Sequence, residues 1–143
     1  MIKIICGGKK FSGWALEARV EYEKRLRKPF DVVWECYDEE RLVRMLADWP
    51  FSGRDYVIVA DERGVEMSSP EFAERLERAF VDGRNVVILV GGAYGFDASV
   101  RERADMVWSF SRLVFPHMLF RVMLTEQIYR AQEISGGGKY HHE

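Results

Sequence analysis

Short apolar runs alternate with amphipathic stretches along this chain, which is the pattern of a β-sheet covered by helices. Five apolar runs of strand length predict β-strands over residues 2–6, 32–36, 56–60, 85–90 and 106–110. Helical spacing and capping residues predict helices over 14–26, 39–49, 69–81 and 97–104, and a long helix from Pro116 to about Ser135. This alternation predicts an α/β fold.

Two of the helices carry further information. The first has apolar residues at helical spacing, so we expect its stripe to face the core: Trp14, Ala18, Tyr22 and Leu26. The last helix is apolar around nearly its whole circumference, interrupted by Arg121. A domain of this size has few layers to cover such a helix, so the pattern favours a symmetric homodimer.

Length and composition indicate one domain over residues 1–143. The chain is 48% hydrophobic and 13% aromatic, which suffices for a real core. No apolar run reaches bilayer length, no basic-then-apolar leader is visible, and there are two cysteines. We therefore expect a soluble cytoplasmic protein without a membrane partner.

The formal net charge of −2 is unusual for a protein that binds naked nucleic acid, because phosphate neutralisation requires clustered basic residues. Basic side chains nevertheless concentrate in residues 1–28, whereas the middle of the chain is richer in Asp and Glu. This segment is either a basic binding surface or an ordinary solvated helix face.

The fourth predicted strand ends in Gly91, Gly92 and Gly95, which allow a backbone to approach a ligand closely. Their spacing matches neither the dinucleotide fingerprint nor the phosphate-binding P-loop. Strand, glycine turn and short helix in succession predict a site for a small ligand. A plain tight turn is the alternative.

The polar residues near the carboxyl terminus allow two interpretations each. Glu126 and Arg130 are an i,i+4 pair that either stabilises the helix or lies in a cleft. The glycines 136–138 begin a tail, predicted to be flexible, that ends in Tyr140, His141, His142 and Glu143. Three histidines and two cysteines give no zinc spacing, and no serine lies in a nucleophile elbow, so no metal is expected.

Motifs in the same order over the whole chain resemble the RlmH family of ribosomal large-subunit RNA methyltransferases. They comprise Gly7-Gly8-Lys9, Glu21-Tyr22-Glu23-Lys24-Arg25-Leu26, Val90-Gly91-Gly92 with Gly95, the run from Trp108 to His117, Arg121, Glu126-Gln127, Tyr129-Arg130-Ala131 and Tyr140-His141. The resemblance implies a SPOUT-type α/β fold with a C-terminal trefoil knot, acting as a homodimer. It also implies methylation of N3 of a pseudouridine in 23S rRNA of the assembled ribosome, with S-adenosyl-L-methionine as cofactor.

The resemblance assigns roles to individual positions. Those matching cofactor contacts are Ala60, Gly91, Phe110, Ser111, Arg112, Leu113, Val114 and Phe115. Tyr140 and His141 are expected to fold over the target base, with the imidazole as proton acceptor, while Arg130 is held by Glu126. The substrate-binding positions are Arg121 and His142.

The chain departs from the family pattern in two places. His142 stands where the family has a fixed positive charge, and the segment 38–49 is shorter than its family counterpart. Two other functions stay open: a noncatalytic ribosome-binding factor of the same fold, and a nucleotide-binding regulatory dimer. Cofactor binding discriminates among the three.

Overall fold

A computed structural model describes residues 1–92 and 95–142 of the chain. Its strands are β1 (Ile2–Gly7), β2 (Val32–Tyr37), β3 (Asp55–Glu66), β4 (Asn85–Val90) and β5 (Met106–Ser109). Its helices are α1 (Gly13–Glu23), α2 (Glu39–Ala47), α3 (Ser69–Val81), α4 (Ala98–Arg103) and α5 (His117–Ser135). The predicted α/β alternation is confirmed. Ala93 and Tyr94 of the predicted glycine loop and Glu143 of the tail lie outside the described residues.

The strands form one parallel sheet in the order β2-β1-β4-β3-β5. The central strand β4 pairs with β1 and β3, so that Ile88 lies beside Ile4 and Ile58. Because all five strands run in the same direction, the loops that follow them emerge at one edge of the sheet. This carboxyl edge is where ligands usually bind in open α/β sheets.

Alternate residues of the central strands contribute to a hydrophobic core on each face of the sheet. On one face, Ile88 packs in a cluster with Phe72 of α3 and Leu124 of α5. On the other face, Leu89 belongs to a cluster with Leu42 of α2 and Val100 of α4. Burial on both faces explains why these strands read as continuous apolar runs.

Helix α3 begins at the predicted capping box. The Ser68 hydroxyl accepts a hydrogen bond from the Glu71 backbone N–H at 3.2 Å, and the Glu71 carboxylate accepts one from the Ser68 N–H at 2.7 Å. Such caps contribute about 1 kcal/mol each to helix stability. The start of α3 is therefore specified locally.

The predicted core stripe of α1 is wrong at its first position. Trp14 is 59% exposed, Ala18 and Tyr22 are half-buried, and the buried residue of this helix is Ala15. Helix α1 packs against α5. One face of α1 is covered in this way, and the indole of Trp14 lies outside that face.

Strand β3 continues beyond the predicted end at Asp61. After Ala60 pairs with Trp108, the chain makes a bulge and pairs again with Trp108 through Val65. Gly64 permits the return, because a Cβ there would lie 2.5 Å from the backbone of Val107. The bulge was not predicted, since its pairing partner lies on a distant strand.

Candidate active site

The described residues line a cavity of about 400 Å³ at the bulge of β3 and the carboxyl ends of β4 and β5. Its lining is contributed by this bulge, by the ends of β4 and β5 with the loops that follow them, and by the start of α5. The lining residues are Ala60, Asp61, Glu62, Arg63, Val90, Gly91, Gly92, Gly95, Trp108, Phe110, Ser111, Leu113, Val114, Phe115, His117 and Phe120. The size is within the usual range for small-molecule sites.

Seven of the eight predicted cofactor positions line this cavity, and Arg112 does not. The 110–115 loop is folded by its serines: the Ser109 hydroxyl donates to the Ser111 carbonyl at 2.8 Å, and the Leu113 N–H donates to the Ser111 hydroxyl at 3.1 Å. Arg112 and Leu113 are both exposed, but Leu113 lines the cavity and Arg112 does not. A run of consecutive residues in a turn cannot all face one side.

The glycine loop contributes close backbone packing to the cavity wall. A Cβ at Gly91 would lie 2.9 Å from the Cα of Gly95, and one at Gly92 would overlap the carboxylate of Glu39. Gly95 has a φ of 67°, which favours glycine. Gly91, Gly92 and Gly95 therefore form part of the cavity wall, and the ligand site predicted at these glycines stays a prediction.

The bulge of β3 places Asp61, Glu62 and Arg63 in the cavity wall, and sequence reasoning missed all three. The Asp61 carboxylate accepts a hydrogen bond from the Arg63 N–H at 2.9 Å and lies 3.7 Å from the guanidinium of Arg101. Their position directly after an apolar strand was the available signal. The carboxylates of Asp61 and Glu62 supply negative charge to a wall that also contains the basic side chain of Arg63.

Stacked aromatic rings support the cavity from the core side. Trp108 stacks on Phe72 with ring centroids 4.0 Å apart and meets Phe110 edge-on at 4.6 Å. Phe110 in turn lies 4.6 Å from Phe120 of α5. Trp108 and Phe120, which were not predicted as site residues, connect the cavity wall to the hydrophobic core.

The four predicted catalytic residues lie together in a polar cluster on α5, made of Glu126, Arg130, Tyr140 and His141. Arg130 donates to the Glu126 carboxylate from Nε at 2.9 Å, and Tyr140 donates to the same oxygen at 3.1 Å. Arg130 also lies 3.1 Å from Nδ1 of His141 and 4.8 Å from the centre of the Tyr140 ring. The pair Glu126 and Arg130 therefore does more than stabilise its helix.

The surroundings shift the pKa of two members of the cluster, Tyr140 and Arg130. Burial raises the pKa of the Tyr140 phenol, and Glu126 raises it further, so the phenol stays a neutral donor. Burial lowers the pKa of Arg130, but the hydrogen bond and charge of Glu126 outweigh this and the net pKa is raised. Because arginine has no acceptor, Nδ1 of His141 accepts from it, which places the hydrogen of a neutral imidazole on Nε2.

The backbone carries the tail back onto α5. The N–H of Gly138 donates to the Glu133 carbonyl at 2.8 Å, and the Tyr140 ring meets Tyr129 at 4.8 Å. In this arrangement the terminal residues contact the helix. The flexibility expected for this tail stays a prediction.

The polar cluster and the cavity are separate in one chain, because none of the four cluster residues is among the described residues that line the cavity. The two predicted substrate positions also differ from each other. Arg121 is 1% exposed and donates to the carbonyls of Gly7 and Lys9, whereas His142 is exposed. The geometry thus gives Arg121 a place inside the protein, where it has almost no surface to offer a substrate.

The described part of the chain contains no group of three or more His, Cys, Asp or Glu side chains that could hold a metal ion. Within the same residues, no helix is both long enough and apolar enough to span a bilayer.

Comparison with known proteins identifies the family of this chain. The model of the family described as "Predicted SPOUT methyltransferase" matches residues 1–141. A protein of Caldicellulosiruptor saccharolyticus named ribosomal RNA large subunit methyltransferase H is 38% identical over 153 aligned positions, covering 99% of each chain. Proteins of the same name from Desulfitobacterium hafniense and Methylobacillus flagellatus are 38% and 33% identical over 156 positions, covering at least 98% of each chain.

The alignments also bear on chain length. They extend over 153 to 156 positions, although this chain has 143 residues, so these relatives carry residues that this chain lacks. That difference agrees with a shortened segment, and its location at 38–49 stays a prediction. Matches at this identity along the whole length identify the family, and the chain belongs to the SPOUT methyltransferases.

Proposed function

We propose that this protein transfers a methyl group from S-adenosyl-L-methionine to N3 of a pseudouridine in 23S rRNA of the assembled ribosome. The observation that carries the proposal is the cavity at the carboxyl edge, where seven positions predicted to contact this cofactor come together. The names of the full-length relatives support a large-subunit RNA substrate. The proposal includes the cytoplasmic location, where ribosomes act.

The chemistry of the cavity fits this cofactor. The side chains of Leu113, Val114 and Phe115 offer apolar surface for an adenine ring, and the glycine backbone opposite offers donors and acceptors. The carboxylates of Asp61 and Glu62 can pair with the ammonium group of the cofactor's zwitterionic amino acid end. When bound, the cofactor supplies an electrophilic methyl group on a sulfonium.

The protein's own contribution is mainly to position the target base and handle one proton. In the cluster, the Tyr140 phenol is a neutral donor and Arg130 a fixed positive charge that can contact RNA or steady negative charge on a deprotonated base. His141 accepts the N3 proton at Nδ1 only after Arg130 releases that atom.

The separation of cavity and cluster supports the proposed homodimer. Two apolar side chains of the cavity wall are exposed, Leu113 at 69% and Val114 at 77%. Leu119 of α5, whose neighbour Phe120 lines the cavity, is 38% exposed. Exposed apolar surface of this kind is typical of an interface. In the proposed dimer, the tail of one protomer completes the cavity of its partner.

The proposal also includes the trefoil knot. The convergence of segments from three strands at one cavity is compatible with such a knot.

The experiment that tests the function supplies labelled S-adenosyl-L-methionine to ribosomes lacking the modification, and to separated large subunits. We expect label on one pseudouridine of 23S rRNA, mainly with intact ribosomes. Cofactor binding with ribosome association but no label would favour the noncatalytic factor. Affinity for a nucleotide in place of S-adenosyl-L-methionine would favour the regulatory dimer.

Complementation tests the composite site. A Gly91→Ala protomer carries a damaged cavity, and an Arg130→Ala protomer carries a damaged cluster. Mixing the two after unfolding and refolding creates heterodimers with one intact combination of cavity and cluster. We expect methyl transfer to recover in the mixture, whereas no recovery beyond the separate variants would contradict a shared site.

A further inference from the structure

The guanidinium of Arg121 is buried without a carboxylate partner among the described residues. Its Nη2 atom donates to the carbonyl of Gly7 at 2.9 Å, and its Nη1 atom donates to the carbonyl of Lys9. It also lies 5.5 Å from the ring centre of Phe11. A buried charge is costly unless it is satisfied, so these carbonyl contacts are what keep it there. Arg121 thereby ties α5 to the loop that follows β1.

The same loop is anchored at two more points. The rings of Phe11 and Trp34 pack edge to face with centroids 4.8 Å apart, and the guanidinium carbon of Arg19 lies 4.6 Å from the centre of the Phe11 ring. Gly8 adopts a φ of 101°, where a side chain would be strained, and an added Cβ there would lie 3.8 Å from Arg121. The loop backbone is therefore fixed from inside the protein.

Other side chains of this segment are exposed to solvent. Lys9 and Lys10 are exposed, and Trp14 is 59% exposed. No ring contact or hydrogen bond holds the Trp14 indole among the residues that the structure describes. Between Gly7 and Leu16 the chain contains no Asp or Glu, although the whole protein has a net charge of −2. Trp14 follows the two exposed lysines by four residues with no acid between them, and Glu17 is the first acid after it. An exposed indole close in sequence to two lysines complements a polyanion with aromatic bases.

The loop also lies close to the proposed cofactor site. An added Cβ at Gly7 would lie 3.5 Å from the backbone nitrogen of Gly92, which lines the cavity. Gly7 ends β1 and Gly92 follows β4, and these strands are parallel neighbours in the sheet. A ligand bound to this loop would therefore extend toward the cavity.

We infer that the segment 7–14, which joins β1 to α1 and is fixed by Arg121, is a contact site for the RNA substrate. Lys9 and Lys10 pair with phosphates, and the Trp14 indole stacks on an unpaired base. Arg121 is a positioning residue that acts through the loop backbone. The inference rests on the proposed function and adds to it the surface that holds the RNA.

The test measures methyl transfer and ribosome binding for two loop variants, Lys9→Ala with Lys10→Ala, and Trp14→Ala. For the double variant we expect the KM for ribosomes to rise about tenfold, and the slope of log affinity against log salt to fall by about 1 to 2. Trp14→Ala should weaken ribosome binding about tenfold, and Trp14→Phe should restore most of it because the ring is kept. Affinity for S-adenosyl-L-methionine should not change.

Matched controls lie at the other end of α1. Lys24→Ala with Lys28→Ala removes the same charge from exposed positions and should leave the KM and the salt slope within twofold of wild type. Arg121→Lys keeps the charge but cannot span both carbonyls. If it remains folded by thermal unfolding, it should raise the KM with little change in kcat.

Each outcome decides one proposal. Absence of methyl transfer by the wild-type protein would count against the proposed function, and the salt slope of ribosome binding would still test the loop. An active wild-type protein with an unchanged KM and salt slope in both loop variants would overturn the inference. Loss of dimerisation in Trp14→Ala with an unchanged salt slope would overturn it too, since the indole would then belong to a protein interface.

Discussion

The cavity and the polar cluster are built in opposite ways. The cavity collects residues from three strand ends and from α5, between Ala60 and Phe120, and much of its wall is backbone and apolar surface. The cluster is local: it joins Glu126 and Arg130, one turn apart on α5, to two residues of the tail. The cavity depends on the folding of the whole sheet, whereas the cluster depends on four side chains.

This difference predicts how each region tolerates change. A cavity wall made of backbone and apolar contacts tolerates many side-chain substitutions. It does not tolerate a larger side chain where two chain segments are in contact. A network of charged hydrogen bonds keeps its shape only if each partner is present, because a buried partner left alone costs free energy. Steric substitutions should therefore affect cofactor affinity, and single charge deletions should affect turnover.

The largest effect is expected for Gly91→Ala. The added methyl group would lie 2.9 Å from the Cα of Gly95, and overpacking of this kind costs about 1–3 kcal/mol. Affinity for S-adenosyl-L-methionine, measured by calorimetry, should fall about 5- to 150-fold. Gly53→Ala is the matched control, since nothing lies within 4 Å of its added Cβ. Equal affinities for the two variants would show that the glycine contact does not shape the site.

Charge deletion in the cluster should affect turnover instead. Arg130→Ala removes the donor to Glu126 and the contact to His141, and we expect kcat for ribosome methylation to fall about 100-fold. Cofactor affinity should stay within twofold of wild type. Arg78→Ala removes the partner of an equivalent but exposed i,i+4 pair with Glu74, so its kcat should hardly change. A similar loss in both variants would mean that the cluster acts only through helix stability.

The contact between Tyr140 and Glu126 should be detectable in a titration of the tyrosine phenols. Burial and then Glu126 raise the pKa of Tyr140, so the folded phenol keeps its proton above its usual range near pH 10. The contribution of this group to stability is present below that range and is lost as pH rises through the folded pKa. An ultraviolet titration should lose one late-ionising phenol in Tyr140→Phe, and Glu126→Gln should shift it to lower pH. A Tyr140 that ionises together with exposed phenols would argue against a docked tail.

Side-chain deletion in the tail should cost less than loss of Arg130. Tyr140→Phe removes one hydrogen bond to Glu126, which is worth about 0.5–1.5 kcal/mol, so a two- to tenfold fall in kcat is expected. His141→Ala should reduce kcat about tenfold through loss of a donor or proton acceptor at the base. Unchanged kcat in both variants would exclude the tail from the mechanism.

The smallest effect is expected for His142→Arg. His142 is exposed, and the substitution places a guanidinium, which always carries a positive charge, at this position. The variant should bind ribosomes a fewfold better than wild type at low salt, with the advantage shrinking as the salt concentration rises. A gain that is the same at low and high salt would contradict a role for positive charge at this position.

Much of this molecule could be read from its sequence, because many of its signals are local. The apolar runs that became β1, β2 and β4 were bounded to within a residue or so, and the capping box at Ser68 and Glu71 was confirmed. The family resemblance placed Ala60, Gly91 and most of the 110–115 loop at one site, and these residues line the cavity. Hydrophobic periodicity and helix capping depend on neighbouring residues, and each family motif is a short segment of the chain.

The tertiary structure decided whatever depends on distant partners. The bulge that brings Asp61 to the cavity exists because Val65 returns to pair with Trp108 of another strand. Trp14 is exposed because α1 packs on α5 along another face, and Arg121 is buried because the β1–α1 loop closes over it. The amino-acid sequence by itself determined the secondary-structure elements, the family and the chemistry available. Long-range packing decided which side chains line the cavity, which are buried and which are exposed, and local patterns do not encode such packing.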